Sequence, residues 1–410
     1  MDQLLRSHAD QIIKASITAV LPDEAVKRAL AGQNFPGRVL LVSAGKAAWQ
    51  MAKAAHDFWG DRIENGVVVT KYDHVMGPIA NFACYEAGHP VPDENSFKGT
   101  QAALDLVSGL TEQDTVLFLL SGGGSALFEK PLVPGEVLQD VTGQLLACGA
   151  DIVEINTIRK RLSAVKGGRF AQHCAPAQVF SIVLSDILGD PLGMIASGPA
   201  VPDTATKEQA LAIAKKYNLQ LPDDTWQLLE QETPKSLTNV TTQINGSVKE
   251  LCVAAAAACR ELGYEPIMLT DQLCCQAKEA GSFLASVLKT HAGSGKKLAF
   301  LAGGETVVQL TGKGKGGRNQ ELALAAAVGI AGIPGAAVFS VGSDGTDGPT
   351  DAAGGYVDYT TAGELTAQGV EIFDVLKQND AFHALEKVGG LVYTGPTGTN
   401  VNDVAIALLG

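Results

Sequence analysis

Apolar, β-branched runs alternate with stretches of helical period from residue 39 onward. Residues 39–43 read as a strand, 47–59 as a helix, 66–70 as a strand, 96–110 as a helix and 115–120 as a strand. Helical patterns at 137–150 and 155–166 lead to a strand at 179–184. Strands that are apolar at nearly every position, separated by amphipathic helices, predict a mostly parallel sheet covered on both faces. Short helices are expected at 207–216 and 226–232, and the polar stretch 233–241, with Pro234, is the expected boundary between two domains. A second alternating series follows. It comprises helix 247–262, strand 265–269, helix 276–289, strands 298–301 and 306–310, helix 320–330, strand 336–341 and a last helix 401–409.

Composition narrows this α/β picture. The 410 residues include 46 glycines, which gather at the ends of the apolar runs, as many strand-to-helix turns require. A net charge of −13 argues against nonspecific binding to nucleic acid or to an anionic membrane. The longest apolar run, 251–259, is far too short to span a bilayer. The N-terminal segment, with Leu4, Leu5, Ile12, Ile13 and Ile17, reads as an amphipathic helix and not as a secretory signal. Seven scattered cysteines without a Cys-x-x-Cys pair read as reduced residues of a cytoplasmic protein, with no zinc site expected.

The chemistry-bearing residues stand at strand ends. The strand at 115–120 runs into Ser121-Gly122-Gly123-Gly124-Ser125, where the missing Cβ atoms let backbone amides face an anion. Lys46 follows the first strand and opens a helix, where a bound anion would offset its unfavourable position at the positive end of the helix dipole. It is not a Walker lysine, because Ala47 stands where Ser or Thr is needed. Arg159, Ser163 and Lys166 fall at helical spacing and predict a basic wall. Asp186 and Asp190 follow the strand at 179–184 and suit a hard cation or a general base. In the second half, Gly303-Gly304-Glu305 lies between two expected strands. Gly312, Gly314 and Gly317 formally match G-x-G-x-x-G, but Lys313, Lys315 and Arg318 point instead to a cationic loop closing over phosphates. The 342–351 loop holds Asp344, Asp347 and Asp351 without EF-hand spacing.

As a set, these segments resemble the class II glycerate kinases, the glycerate 2-kinases with a C-terminal MOFRL domain. The matching stretches are 43–46, 87–90 with Pro92-Asp93, 121–127, 156–168, 185–191, 303–306, 317–321, 342–355 and 395–403, in one order over nearly the whole chain. The resemblance implies a Rossmann-like N-terminal domain over 1–236, a smaller α/β domain over 237–410 and an active site in the cleft between them. It implies transfer of the γ-phosphoryl group of ATP, with Mg²⁺, to the 2-hydroxyl of D-glycerate. On this resemblance Lys46, Asp186 and Arg318 are the catalytic candidates. Ser121, Gly122, Gly123, Gly124, Ser125, Arg159, Lys166 and His89 are candidates for substrate or phosphate binding. Gly303, Gly304, Glu305, Gly317, Asn319 and Asp344 are the nucleotide-side candidates, and Asp186 with Asp190 would hold the metal. The implied partners are small molecules, D-glycerate and ATP, with a homo-oligomer left open. Members of the family have often been labelled hydroxypyruvate reductase, and a reductase using NAD(P)H is the competing reading.

Overall fold

A computed structural model describes residues 1–410. The chain packs as two compact units, Pro22–Asn245 and Met1–Leu21 with Gly246–Gly410. This differs from the expected division at 236/237 in two places. Residues 240–246 extend the first sheet, and the N-terminal helix Gln3–Ala19 belongs with the C-terminal unit. That helix buries Leu5, Ile12, Ile13 and Ile17 of the apolar face read from its sequence, while Leu4 is exposed. It is tied to its unit by the side chain of Arg6, which donates to the carbonyls of Gly389 and Leu391, and by His8 Nδ1, 2.9 Å from the Tyr264 hydroxyl.

The first unit is built on a six-stranded sheet of β1 (Val39–Ala44), β2 (Ile63–Lys71), β3 (Phe82–Ala87), β4 (Thr115–Leu120), β5 (Gln178–Leu184) and β6 (Val240–Gly246), in the order β3-β2-β1-β4-β5-β6. The pairs from β3 through β5 are parallel. Alternate residues feed cores on opposite faces: Val116, Phe118 and Leu120 of β4 pack with Phe128 and Phe170, and Leu117 and Leu119 with Trp49 and Met51. A separate helical core forms where Gly135–Ala147, Ile152–Arg161 and Lys207–Lys216 meet.

The second sheet comprises β7 (Glu265–Leu273), β8 (Leu298–Gly304), β9 (Ala336–Gly342), β10 (Gly354–Asp358), β11 (Leu391–Val392) and β12 (Asp403–Leu409), in the order β11-β10-β9-β12-β8-β7. Only β7 and β8 pair in parallel; the other neighbours are antiparallel. Two expected elements are corrected here. Residues 401–409 are not a helix: β12 lies between β8 and β9, buried along its whole length, and this pairing outweighs the capping signal at Asn400 and Asn402. Residues 306–310 are not a strand; Val307 makes one isolated bridge, to Gln276, and the rest runs as an open wall.

Candidate active site

The register of the first sheet sets three strand ends side by side. Ala44 of β1 pairs with Leu120 of β4, and Leu120 pairs with Val183 of β5. The turns that follow are laced together: Ser121 N–H donates to Ala44 O (3.0 Å), Lys46 N–H to Gly122 O (2.8 Å), and Ala47 N–H to Ser121 Oγ (3.0 Å). The Ser121 side chain is buried, and its oxygen takes a scaffold hydrogen bond, a structural duty beside its place among the binding candidates.

The glycines are there because functional groups crowd the turn. A Cβ on Gly122 would overlap Asp186 Oδ2. Gly123 has φ +85°, and a Cβ there would stand 3.1 Å from both His89 Nε2 and Lys46 Cγ. Gly124 packs on Ala196, whose Cβ lies 2.7 Å from the position a side chain would need. Lys46, His89 and Asp186, distant in sequence, thus converge on Gly122 and Gly123. Burial, then the nearby charges of Lys46, Lys71 and His74, hold the His89 imidazole below its usual pKa. Ion pairs in this unit include Arg38 with Asp114, Lys160 with Asp203 and Lys166 with Glu129; Lys46 enters none. Lys46 and Lys71 therefore bring cationic charge to this half-buried edge, beside the Asp186 carboxylate, and an anion can meet it there. The sequence pattern gave no reason to single out Lys71 and His74.

The expected basic wall is only partly present. The helix Ile152–Arg161 stops before Ser163, because Leu162 and Ala164 exchange backbone hydrogen bonds with the 130–132 segment. Lys166 is wholly buried. It donates to the carbonyls of Ser125 (2.9 Å) and Phe128 (3.0 Å) and pairs with Glu129 (3.1 Å), and burial pushes its ammonium down to about 8. Lys166 therefore props the glycine turn from beneath and is corrected from a phosphate contact. Arg159 is half-buried and also donates to Ser125 O, at 3.1 Å. Asp190 sits at φ +52°, with Oδ1 buried and without a hydrogen-bond partner.

In the C-terminal unit a cavity of about 680 Å³ is lined by Glu305, Val307, Lys313, Arg318, Asp344 and Asp347, among others. Arg318, at the start of the helix Arg318–Ile330, donates from Nε (2.6 Å) and Nη2 (3.0 Å) to Asp403 and from Nη1 to Glu305 (2.6 Å). Burial alone would lower its pKa, but the bond and charge of Asp403, then Glu305, raise it. The helix has no side-chain cap of its own, since its N-cap is Gly317. Asp347 supplies the missing acceptor, taking hydrogen bonds from Asn319 N–H (3.1 Å) and Gln320 N–H (2.9 Å). A Cβ on Gly317 would overlap that carboxylate.

Several nucleotide-side candidates have structural duties. Asn319 is buried, its side chain bonded to Asp347 and Ser340. A Cβ on Gly303 would strike Cys252, and one on Gly304 the backbone of Leu273, so both glycines serve strand packing. Asp344 lines the cavity, its Oδ1 accepting from Thr346 N–H at 3.0 Å. Asp347 and Asp403, the partners of this site, were not among the candidates. A helix opening on glycine was the available signal, because its amides need an acceptor from elsewhere.

Asp347 gives a pH prediction. Burial pushes its carboxyl up to about 7, against the lowering effect of the Gln320 and Asn319 amides. The folded state then binds this proton more tightly than the unfolded chain. The stabilisation is complete below about pH 4 and is lost as pH rises through 7, by at most about 1.4 kcal/mol per pH unit. Asp347→Asn cannot titrate. Urea unfolding at pH 4.5 and pH 8 is expected to show the variant gaining on wild type at the higher pH; an unchanged difference would contradict the assignment.

A parallel sheet whose carboxyl edge carries a glycine turn, an unpaired lysine and a carboxylate defines an α/β protein that handles small anionic ligands. A family model described as a domain of unknown function (DUF4147) matches residues 8–230, and the MOFRL family model matches residues 298–403. The D-glycerate 2-kinase of Thermotoga maritima is 53% identical over 99% of this chain and 98% of its own length. The glycerate 2-kinase of Pyrococcus horikoshii is 42% identical over 92% of this chain and 89% of its own. A relative from Agrobacterium vitis that carries a hydroxypyruvate reductase name is 37% identical, over 98% of this chain and 93% of its own. The crystal structure of a T. maritima glycerate kinase superposes with a TM-score of 0.95 at 52% identity, covering 100% of both chains. The chain belongs to the glycerate kinase family with a C-terminal MOFRL domain.

Proposed function

We propose that this chain is an ATP-dependent D-glycerate 2-kinase, forming 2-phospho-D-glycerate and ADP. The observation that carries the reading is the convergence of Lys46, His89 and Asp186 on the Gly122–Gly123 turn. The kinship with D-glycerate 2-kinase over 99% of the chain supports it.

Phosphoryl transfer asks a protein for positioning and charge neutralisation more than for covalent chemistry. The acceptor side is assigned to the first unit. Lys46, with the neutral His89 beside it as a hydrogen-bonding group, holds the glycerate anion, and Asp186 accepts the proton of the 2-hydroxyl as its oxygen bonds to the γ-phosphorus and the bond to ADP breaks. Lys46 neutralises charge on the group in transit. On the donor side, Arg318, fixed by Asp403 and Glu305, meets the nucleotide phosphates. The donors at Asp186 and Asp190 fit Mg²⁺: both are hard oxygen ligands, and Asp190 Oδ1 is a buried acceptor without a partner. No cluster of three or more potential metal ligands is present, as suits an ion that takes most of its ligands from phosphate and water. When bound, Mg²⁺ would screen the phosphate charge.

The reductase reading finds less support. The glycines at 312, 314 and 317 do not follow a strand, and Gly314 N–H is bonded to Gln378 O at 2.8 Å. The helix that should receive a pyrophosphate is already capped by Asp347. No helix is long and apolar enough to cross a membrane. Seven free cysteines support a cytoplasmic location.

The test is to incubate the protein with D-glycerate, ATP and Mg²⁺. ADP release is expected, with a ³¹P signal split into a doublet by the single proton on C2. A triplet would place the phosphate on C3. NADH oxidation by hydroxypyruvate without ADP release would overturn the kinase reading.

A further inference from the structure

The cavity in the C-terminal unit has two chemically different ends. Glu305, Arg318, Asp344 and Asp347 crowd one of them. From Glu305 the chain runs on through Thr306, Val307, Val308 and Gln309 to Leu310, and this segment forms a wall of the same cavity. Two of its apolar side chains are left in water, Val307 at 54% and Leu310 at 81% exposed, while Val308 is partly buried against the core of the unit. The wall is not loose. Val307 N–H donates to Cys275 O and Ala277 N–H to Val307 O, both at 2.9 Å. Beyond Leu310, the Thr311 and Gly312 amides donate to Asn379 Oδ1, at 2.7 and 2.9 Å. Aliphatic side chains held in the open beside a cavity await a flat apolar partner. Pro349 lines the cavity too, and Lys313, which makes no ion pair with any carboxylate of the chain, projects from the glycine-rich loop that closes the wall.

Two of the polar lining groups are fixed to each other. Glu321 stands one helical turn from Arg318, is buried, and accepts from Asn379 Nδ2 at 3.1 Å. D-Glycerate, with a polar group on every carbon, gains nothing from aliphatic walls. A nucleotide has both an apolar ring face and a polyanionic tail, and matches a cavity with aliphatic side chains along one wall and the cations Arg318 and Lys313 among its lining residues.

We infer that this cavity is the nucleotide site, with the base lying against Val307, Val308 and Leu310 beside the Glu321–Asn379 pair, and the phosphates directed to Arg318 and Lys313. The inference deepens the kinase reading above and rests on it for the identity of the donor.

The experiment separates base from phosphate. The full-length chain is titrated calorimetrically with ADP and with inorganic tripolyphosphate, as wild type and as the Val307→Ser, Leu310→Ser double variant. Both side chains are largely in solvent, so the variant is expected to fold with an unchanged unfolding temperature. ADP should bind about tenfold more weakly, the effect of losing the apolar contact of one ring face, and tripolyphosphate should bind as before. ADP binding that is unchanged would overturn the base subsite. An equal loss for both ligands would overturn it as well, because the wall would then be acting only on the phosphate end. Should the wild type bind ADP but leave D-glycerate unphosphorylated, the kinase reading falls while these titrations still decide the subsite.

Discussion

Replacing Lys46 by alanine is expected to lower kcat for D-glycerate phosphorylation by about a hundredfold to a thousandfold, the usual cost of removing one preorganised group that meets transition-state charge. Stability should not follow. The Lys46 ammonium makes no ion pair, and its backbone hydrogen bond to Gly122 survives the substitution. The helix Ala48–Trp59 begins two residues later, so the cation opposes that helix dipole and its loss is neutral or worth a few tenths of a kcal/mol in favour of folding. A site that holds a destabilising charge for its chemistry should show this pairing of lost activity with retained stability. A second readout is independent of turnover. Lys46 is among the charges that hold the His89 pKa down, after burial itself. In Lys46→Ala the imidazole should therefore titrate at higher pH, which is visible in its Cε1 proton resonance. Near-wild-type kcat would remove Lys46 from the reaction. An unmoved His89 titration would separate the two residues.

The sequence made the first of these arguments possible because parallel strands end where ligands bind. Lys46, the 121–125 turn and Asp186 each follow an apolar run directly, and the register of β1, β4 and β5 brings those three ends together. What the sequence could not distinguish was whether a polar residue near a strand end faces outward or props the turn. Ser121 and Lys166 look like ligand groups in one dimension, but Ser121 Oγ accepts from Ala47 N–H and the Lys166 ammonium is spent on the carbonyls of Ser125 and Phe128. The glycines show the same ambiguity. Gly122 makes room for Asp186, whereas Gly304 makes room for Leu273. The hardest element to read was β12, an apolar segment after a capping signal, whose strand form is decided by its neighbours β8 and β9. Its first residue, Asp403, thereby became the partner of Arg318.

That partnership sets the second large expectation. Arg318→Ala should lower kcat/KM for ATP by at least about a hundredfold, since a forked cation at the phosphates is lost. It should also destabilise the protein, because Asp403 is buried at the head of a central strand and would keep its charge without a cation; breaking such a pair from one side costs about 3–5 kcal/mol. The two effects can be divided. In an Arg318→Ala, Asp403→Asn double variant no buried charge is stranded, so a large part of the lost stability should return. Activity should not return, because neither substitution restores a cation. Arg318→Lys keeps the charge but not the fork that spans Asp403 and Glu305, and its activity should fall between wild type and alanine. Acid offers a further check. In the single variant the stranded carboxylate can take up a proton, so its stability deficit should shrink as pH falls, whereas the double variant should lack that dependence. If the double variant recovered activity together with stability, Arg318 would be a prop for β12, and the phosphate-facing cation of this unit would have to be sought in Lys313.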